Sequence, residues 1–311
     1  MLALPSVGMA RSVGEVHEID LAALCDWIEG NILFDDEELS PCDVVDLLIE
    51  TQIYARQDFA WEIVQDAWAE LGLRLGWLEE AAPIKMQSRR ATRLRTWQET
   101  PGHSFCIALS LAKWYPVWAR QFGMDYTEQG ELFEALTKEG MERLFPGWVV
   151  HPTGWTRTHS EHLNDVVEQV VARLGEARGN VERWTENTAH EAGLDLVCYR
   201  PFVDHRVGMP VFLMQCASGK LWDRKLKTPD LQIWMKIVDF ASKPKKAFAM
   251  PYALSEREFC KTCLLVDGLL LDRYRLLSAA GDDPNWVSGE LQERIIAWIG
   301  PRLDSLPRAD V

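Results

Sequence analysis

Residues 193–225 read GLDLVCYRPFVDHRVGMPVFLMQCASGKLWDRK, and most of the chain's chemistry is concentrated there. Two apolar runs, 194–199 and 211–216, each carry one polar oxygen-bearing side chain, Asp195 in the first and Gln215 in the second. A carboxylate or an amide buried without a partner costs several kcal/mol, so each must be satisfied. The intervening residues 200–210 hold Pro201, Asp204, Gly208 and Pro210, which suits a turn between neighbouring strands. On such a hairpin Asp195 and Gln215 face one another across one sheet. With the main-chain carbonyl of Cys216 they form the partial oxygen shell that Mg²⁺ (or Mn²⁺) prefers, leaving positions for water and phosphate. An ion held there lowers the pKa of an attacking water and neutralises charge on a phosphodiester. A nearby lysine stabilises the developing charge, and Lys220 and Lys225 are the local candidates. Lys225 is favoured, because Trp222 and Leu226 can anchor its segment against the sheet. Glu134, from a preceding helix, is placed to hold a metal-bound water.

The elements needed to position these groups are readable from periodicity. Residues 15–127 are expected to form helices: Ala60, Ile63, Val64, Ala67, Trp68 and Leu71 recur at helical spacing. Ser40-Pro41, Pro83 and Pro101-Gly102 mark helix boundaries. A helix from Thr127 to about 145 carries Leu132, Phe133, Leu136, Met141 and Leu144 on one side and ends at Pro146-Gly147. Another spans 159–174 and ends at Gly175. A strand at 181–185, the two strands of the hairpin, a helix over 229–240, a strand at 246–250 closed by Pro251 and a strand within 266–271 complete the pattern. This is an α/β fold with a mixed sheet and helices on its faces. The expected division is an all-α domain over 1–127, a core over 128–277 and a C-terminal helical extension over 278–311.

Phe133-Glu134, Gly193-Leu194-Asp195 and Gln215-Cys216-Ala217 resemble, in order and element type, the PD-(D/E)xK superfamily of restriction-endonuclease-like nucleases. In that family a helix with a glutamate precedes a strand with an aspartate, and the next strand carries Glu or Gln, one residue, then Lys. The resemblance covers 128–277 and implies a restriction-endonuclease-like core, Mg²⁺-dependent endonuclease cleavage of DNA, and a bacterial role against foreign DNA. Ala217 departs from the pattern, since alanine cannot carry the charge of the usual lysine. Some members supply that lysine from a neighbouring position, commonly the following helix, which Lys225 or Lys220 would do here. Without it, the chain is a catalytically degenerate nuclease-fold protein that binds nucleic acid or serves in assembly.

The formal charge of -14 argues against a generally basic nucleic-acid coat, but charge is unevenly placed. Residues 35–38 are all acidic, and the acidic helical domain is expected to offer a surface to a protein partner. Base gathers after the hairpin, where Lys227, Lys243, Lys245 and Lys246 are expected to contact DNA, and again at Lys85, Arg89, Arg90, Arg93 and Arg95. Arg273 and Arg275 are read as surface or ion-paired residues. The seven scattered cysteines look like small buried side chains in a reducing, cytoplasmic setting, and Cys260 and Cys263 are assigned a core role. Pro5, Gly8, Arg11 and Glu15 break the opening residues, so no secretory leader is expected, and no run is long enough to suggest a membrane partner. Oligomerisation is left open. A weaker constellation, His151, His159 and His162 with Glu161, has zinc-like spacing. Of the tryptophans, Trp155 and Trp222 lie nearest the expected site in polar surroundings.

Overall fold

Capping residues and prolines set the elements of the N-terminal part. The computed structural model describes residues 1–9, 19–123, 126–153, 155–156, 159–160, 163–185 and 193–309, with the backbone alone at 155–156 and 159–160. The chain forms two units, Met1–Met124 with Ala280–Val311, and Asp125–Ala279. In the first, α1 (Leu21–Phe34) starts at Asp20, whose carboxylate accepts from the Ala22 N–H at 2.9 Å. After β1 (Glu38–Leu39), α2 (Pro41–Glu50) opens with a reciprocal capping box between Ser40 and Asp43 and a proline in its first turn. Then follow α3 (Gln57–Gly76), β2 (Ile84–Met86), β3 (Ala91–Arg93), α4 (Pro101–Trp114) and α5 (Pro116–Arg120). α1 is buried along most of its length between α3 and α4.

Two expectations are corrected here. The N-terminal domain is not all-α, because β1, β3 and β2 form an antiparallel three-stranded sheet. Strands of two or three residues are too short to show alternation in sequence. Nor do residues 278–311 stand apart, since Ala280–Val311 belongs to the first unit. Within it the Trp298 ring meets Phe105 edge-on at 5.1 Å, and the Trp118 indole N–H donates to the Arg302 carbonyl at 2.8 Å. The acidic run is also no open patch. Asp35 pairs with the N-terminal ammonium at 2.7 Å and with Arg308 at 2.9 Å. Glu37 pairs with Arg93 at 2.8 Å and Glu38 with Arg90 at 2.9 Å. Exposed pairs of this kind contribute only ~0.2–1 kcal/mol each, but they spend the charge inside the unit.

The second unit opens with α6 (Thr127–Leu144), whose Leu132, Phe133, Leu136 and Met141 are buried. Next come β4 (Val149–Pro152), the two-stranded β5 (Trp155–Thr156) and β6 (His159–Ser160), α7 (Leu163–Leu174), β7 (Ala177–Arg178) and α8 (Val181–Trp184). The hairpin strands are β8 (Leu196–Tyr199) and β9 (Val211–Cys216). α9 (Leu231–Ile237), β10 (Val238–Asp239), β11 (Lys245–Ala249), α10 (Glu256–Val266), β12 (Gly268–Leu271) and α11 (Arg273–Leu277) complete the unit. Its mixed sheet has five strands in the order β12-β11-β9-β8-β4. β8 runs antiparallel to β4 and β9, while β11 is parallel to β9 and β12.

Alternation along the strands divides the two faces. Val197, Tyr199, Val211 and Leu213 pack with Val166, Val167 and Val170 of α7 and with Trp234 and Ile237 of α9. Phe212, pointing the other way, stacks on Trp148 at 5.1 Å, and α6 packs against β4 and β9. Burying each such apolar side chain stabilises the fold by ~1.5–3 kcal/mol. The expected strand at 181–185 is the helix α8, because Asn180 caps it by accepting from the Arg183 N–H at 2.9 Å. Arg273 is fully buried, its Nε donating to the Pro251 carbonyl at 3.0 Å, so it is not a surface residue.

Trp298→Ala is expected to lower stability to urea by about 3–5 kcal/mol, since it removes a buried ring from the packing of α12 (Gly289–Asp304) on α4. A loss below about 1 kcal/mol would contradict the assignment of α12 to the first unit's core.

Candidate active site

The hairpin register decides whether the two oxygen-bearing side chains meet. Leu196 pairs with Met214, and the Asp195 N–H donates to the Met214 carbonyl at 2.9 Å. Pairing therefore extends one residue before β8 and sets Asp195 opposite Gln215, on the face that carries Val197 and Leu213. Asp195 Oδ2 accepts from the Cys216 N–H at 2.5 Å and from Gln215 Nε2. The same Nε2 donates to the Cys216 carbonyl at 3.2 Å. The three groups nominated from sequence thus converge on one point, with Asp195 9% and Gln215 3% exposed.

Neighbouring residues hold this geometry. The Thr153 N–H donates to the Asp195 carbonyl at 2.9 Å and its hydroxyl contacts the same oxygen at 3.0 Å, tying the start of β8 to the end of β4. Gly193 sits at φ +73°, and a Cβ there would lie 2.7 Å from Thr228 Cβ and 3.3 Å from Gln215 Oε1. Only glycine lets the chain approach Thr228 so closely. Thr228 Oγ1 in turn lies 3.0 Å from Gln215 Oε1 and 2.7 Å from the Lys225 carbonyl. Thr153 and Thr228 were not singled out from sequence, and Gly193 entered only as the first residue of the aspartate element. Gly193, two residues before the aspartate, was the one available signal.

Burial pushes the Asp195 carboxyl up to about 7, against the Cys216 N–H and the positive charge of Lys225, which hold it down. Lys225 ends the short 3₁₀ turn Trp222–Lys225. Trp222 and the adjoining Leu226 pack against the cluster of Ala217, Phe248, Val266 and Leu270. This is the anchoring that favoured Lys225, and it brings that ammonium into the field of Asp195. Lys220 is exposed in the loop after β9. Ala217, 1% exposed, lies within the apolar cluster. Glu134, half-buried on α6, acts on Cys216 from the helix side: its charge and that of Asp195 add to burial in raising the Cys216 thiol well above its usual range.

As placed, the Gln215 amide turns its nitrogen toward Asp195 and the Cys216 carbonyl, so the donor set would suit a hard divalent cation only with the amide rotated. Thr228 has one hydroxyl hydrogen but faces two acceptors, Gln215 Oε1 and the Lys225 carbonyl. The two ends of an amide have the same shape, and rotation would give Thr228 an N–H to accept. It would also turn Gln215 Oε1 toward Asp195 Oδ2 and the Cys216 carbonyl. Three oxygens facing one point repel each other unless a cation lies among them. Among the described residues no group of three or more His, Cys, Asp or Glu could hold a metal, so any ion at this centre relies on the amide and the carbonyl.

The remaining candidates are dispersed. Lys227, Lys243 and Lys245 are exposed, but Lys246 is buried, its ammonium donating to the Leu226 carbonyl at 2.8 Å. Its strand position puts it on the Phe248 face, which corrects its expected place on an open DNA surface. His151 contacts Gln169 at 3.1 Å; His162, Glu161 and the side chains of His159 and Trp155 lie outside the described residues. Cys260 is exposed and contacts Glu256 at 3.3 Å, so it has no core role; Cys263 is partly packed against the Phe248 cluster. None of the seven cysteines, all among the described residues, is in a disulfide. No helix among the described residues is long and apolar enough to cross a membrane.

Because folding raises the Asp195 carboxyl from 3.8 to about 7, the folded chain keeps a proton there that the unfolded chain releases. Stability then falls as pH rises through that window, by at most about 4 kcal/mol from this group. Asp195→Asn is expected to lack this fall when urea midpoints are compared at acid and alkaline pH. Parallel profiles for the two proteins would contradict it. Comparison of the chain with protein-family models, curated proteins and solved structures finds no match.

Proposed function

We propose that this chain is a metal-dependent nuclease that hydrolyses DNA phosphodiester bonds, with Mg²⁺ or Mn²⁺ held by Asp195, Gln215 and the Cys216 carbonyl. One observation carries the reading: those three groups meet within hydrogen-bonding distance at one end of β9, with the Lys225 charge acting on Asp195. The order of elements supports it too, with Glu134 on α6, Asp195 at the mouth of β8 and Gln215 in β9, as in the PD-(D/E)xK resemblance.

The ion would supply an acidified water and charge neutralisation on the phosphoryl oxygens. The chain's own groups do the rest. Asp195 contributes the anionic oxygen, and the Cys216 N–H and Lys225 favour that ionised form. Lys225, standing in for the lysine that Ala217 lacks, offers its ammonium to charge developing on the phosphate. Glu134 stands on the α6 face of the sheet, opposite Gln215, where its charge reaches the Cys216 thiol, and it takes no step in this reading. Burial of Asp195 and Gln215 limits screening of the contact between them, whereas Lys225 acts from an exposed turn.

Incubated with supercoiled plasmid and Mg²⁺ or Mn²⁺, the protein is expected to nick and linearise it. Asp195→Asn and Lys225→Gln should each slow cleavage by about 10²–10³-fold. An equal loss in Lys220→Gln would contradict the assignment to Lys225. Binding of plasmid without cutting in either metal would replace the proposal with its rival, a nuclease-fold binding module, which the burial of Ala217 in an apolar cluster favours.

A further inference from the structure

On the face of the sheet that carries Gln215, α9, the segment leading into β11 and the end of α10 border an open pocket of about 350 Å³. Lys227, Lys243 and Lys246 line it, opposed by Asp230 and Asp267. Lys246 lies deepest: burial pulls its ammonium down from the usual lysine range, while the charges of Asp267 and Asp230 hold the proton on. Asp230 Oδ1 already caps α9, accepting from the Gln232 N–H at 2.8 Å. The lining therefore carries three ammonium groups against two carboxylates, with Lys227 and Lys243 exposed. Leu231 and Met235 give it an apolar wall.

The pocket is next to the proposed centre. Lys246 pairs with Leu213, two residues before Gln215, which is about 7 Å along the strand. Residues of one segment alternate between the two places: Lys225 and Thr228 act on Asp195 and Gln215, whereas Lys227 and Asp230 line the pocket. The exposed cations Lys227 and Lys243, the exposed carboxylates of Asp230 and Asp267 with the Gln232 amide, and the wall of Leu231 and Met235 match the parts of one nucleotide: phosphate, base-edge donors and a flat ring.

We propose that this pocket is a single-nucleotide subsite, taking one unpaired nucleotide of the substrate strand with its phosphate on Lys227 and Lys243. Its assignment to a substrate strand rests on the nuclease reading, whereas its chemistry does not. Titration calorimetry with deoxyadenosine monophosphate, deoxyadenosine and inorganic phosphate tests it. The monophosphate should bind more tightly than either fragment. Lys227→Gln with Lys243→Gln should weaken it about tenfold or more, while Lys261→Gln, an exposed cation that is not among the lining residues, should not. Absence of binding at millimolar nucleotide, or equal binding by deoxyadenosine, overturns the subsite even if plasmid is cut. Retained binding in Asp195→Asn supports it even if no plasmid is cut. In that variant, tighter binding of an open-ended oligonucleotide than of a closed dumbbell assigns the nucleotide to a strand end, and equal binding to an internal unstacked one.

Discussion

A carboxylate withdrawn from water at the mouth of a β-hairpin is the constraint around which the second unit is arranged. Asp195 is nearly buried, and burial alone would drive it to hold its proton. The Cys216 N–H, the Gln215 amide and the Lys225 charge oppose that tendency. Gly193 makes the close approach possible, Thr153 fixes the main chain at the Asp195 carbonyl, and Thr228 sets the orientation of the amide. Each is placed by a different part of the chain, so the centre depends on the sheet being formed.

An isolated ionised carboxylate in such a setting costs several kcal/mol, and a structural role would be served as well by an amide or an apolar residue. An acid at this position, beside an amide and the Cys216 carbonyl, is what the proposed divalent-ion centre would require. The missing lysine follows the same logic. Ala217 fills apolar space against Phe248, and in the proposed site the cation would come instead from the turn anchored by Trp222 and Leu226. Charge is thus delivered from the solvent side of the segment, leaving the strand interior apolar.

How much of this could be read from sequence differs by element. The amphipathic helix α6, bounded by Pro146-Gly147, and the apolar strands β8, β9 and β11 carry strong periodic signals, and the mixed α/β character follows from them. Asp195 facing Gln215 was legible because alternation and a turn-rich connection leave few other registers. Lys246 was misplaced because a run of base reads as surface, whereas period-two alternation turns this lysine inward on the Phe248 face. Arg273 was misread for a similar reason: its main-chain acceptor, the Pro251 carbonyl, is a long-range partner that no local pattern reveals. The helix at α8 depended on one cap, Asn180, in a stretch whose valine and threonine suggest strand. The three short strands of the first unit have no periodicity to detect.

The most direct test of the central claim is the position of a bound ion. Crystals grown with Mn²⁺ and measured at its absorption edge should show an anomalous peak about 2.2 Å from Asp195 Oδ2, Gln215 Oε1 and the Cys216 carbonyl oxygen. The amide should be rotated so that Thr228 accepts from its nitrogen. A Mn²⁺-saturated crystal with no peak there, and with Gln215 Nε2 still donating to Asp195, would contradict the account.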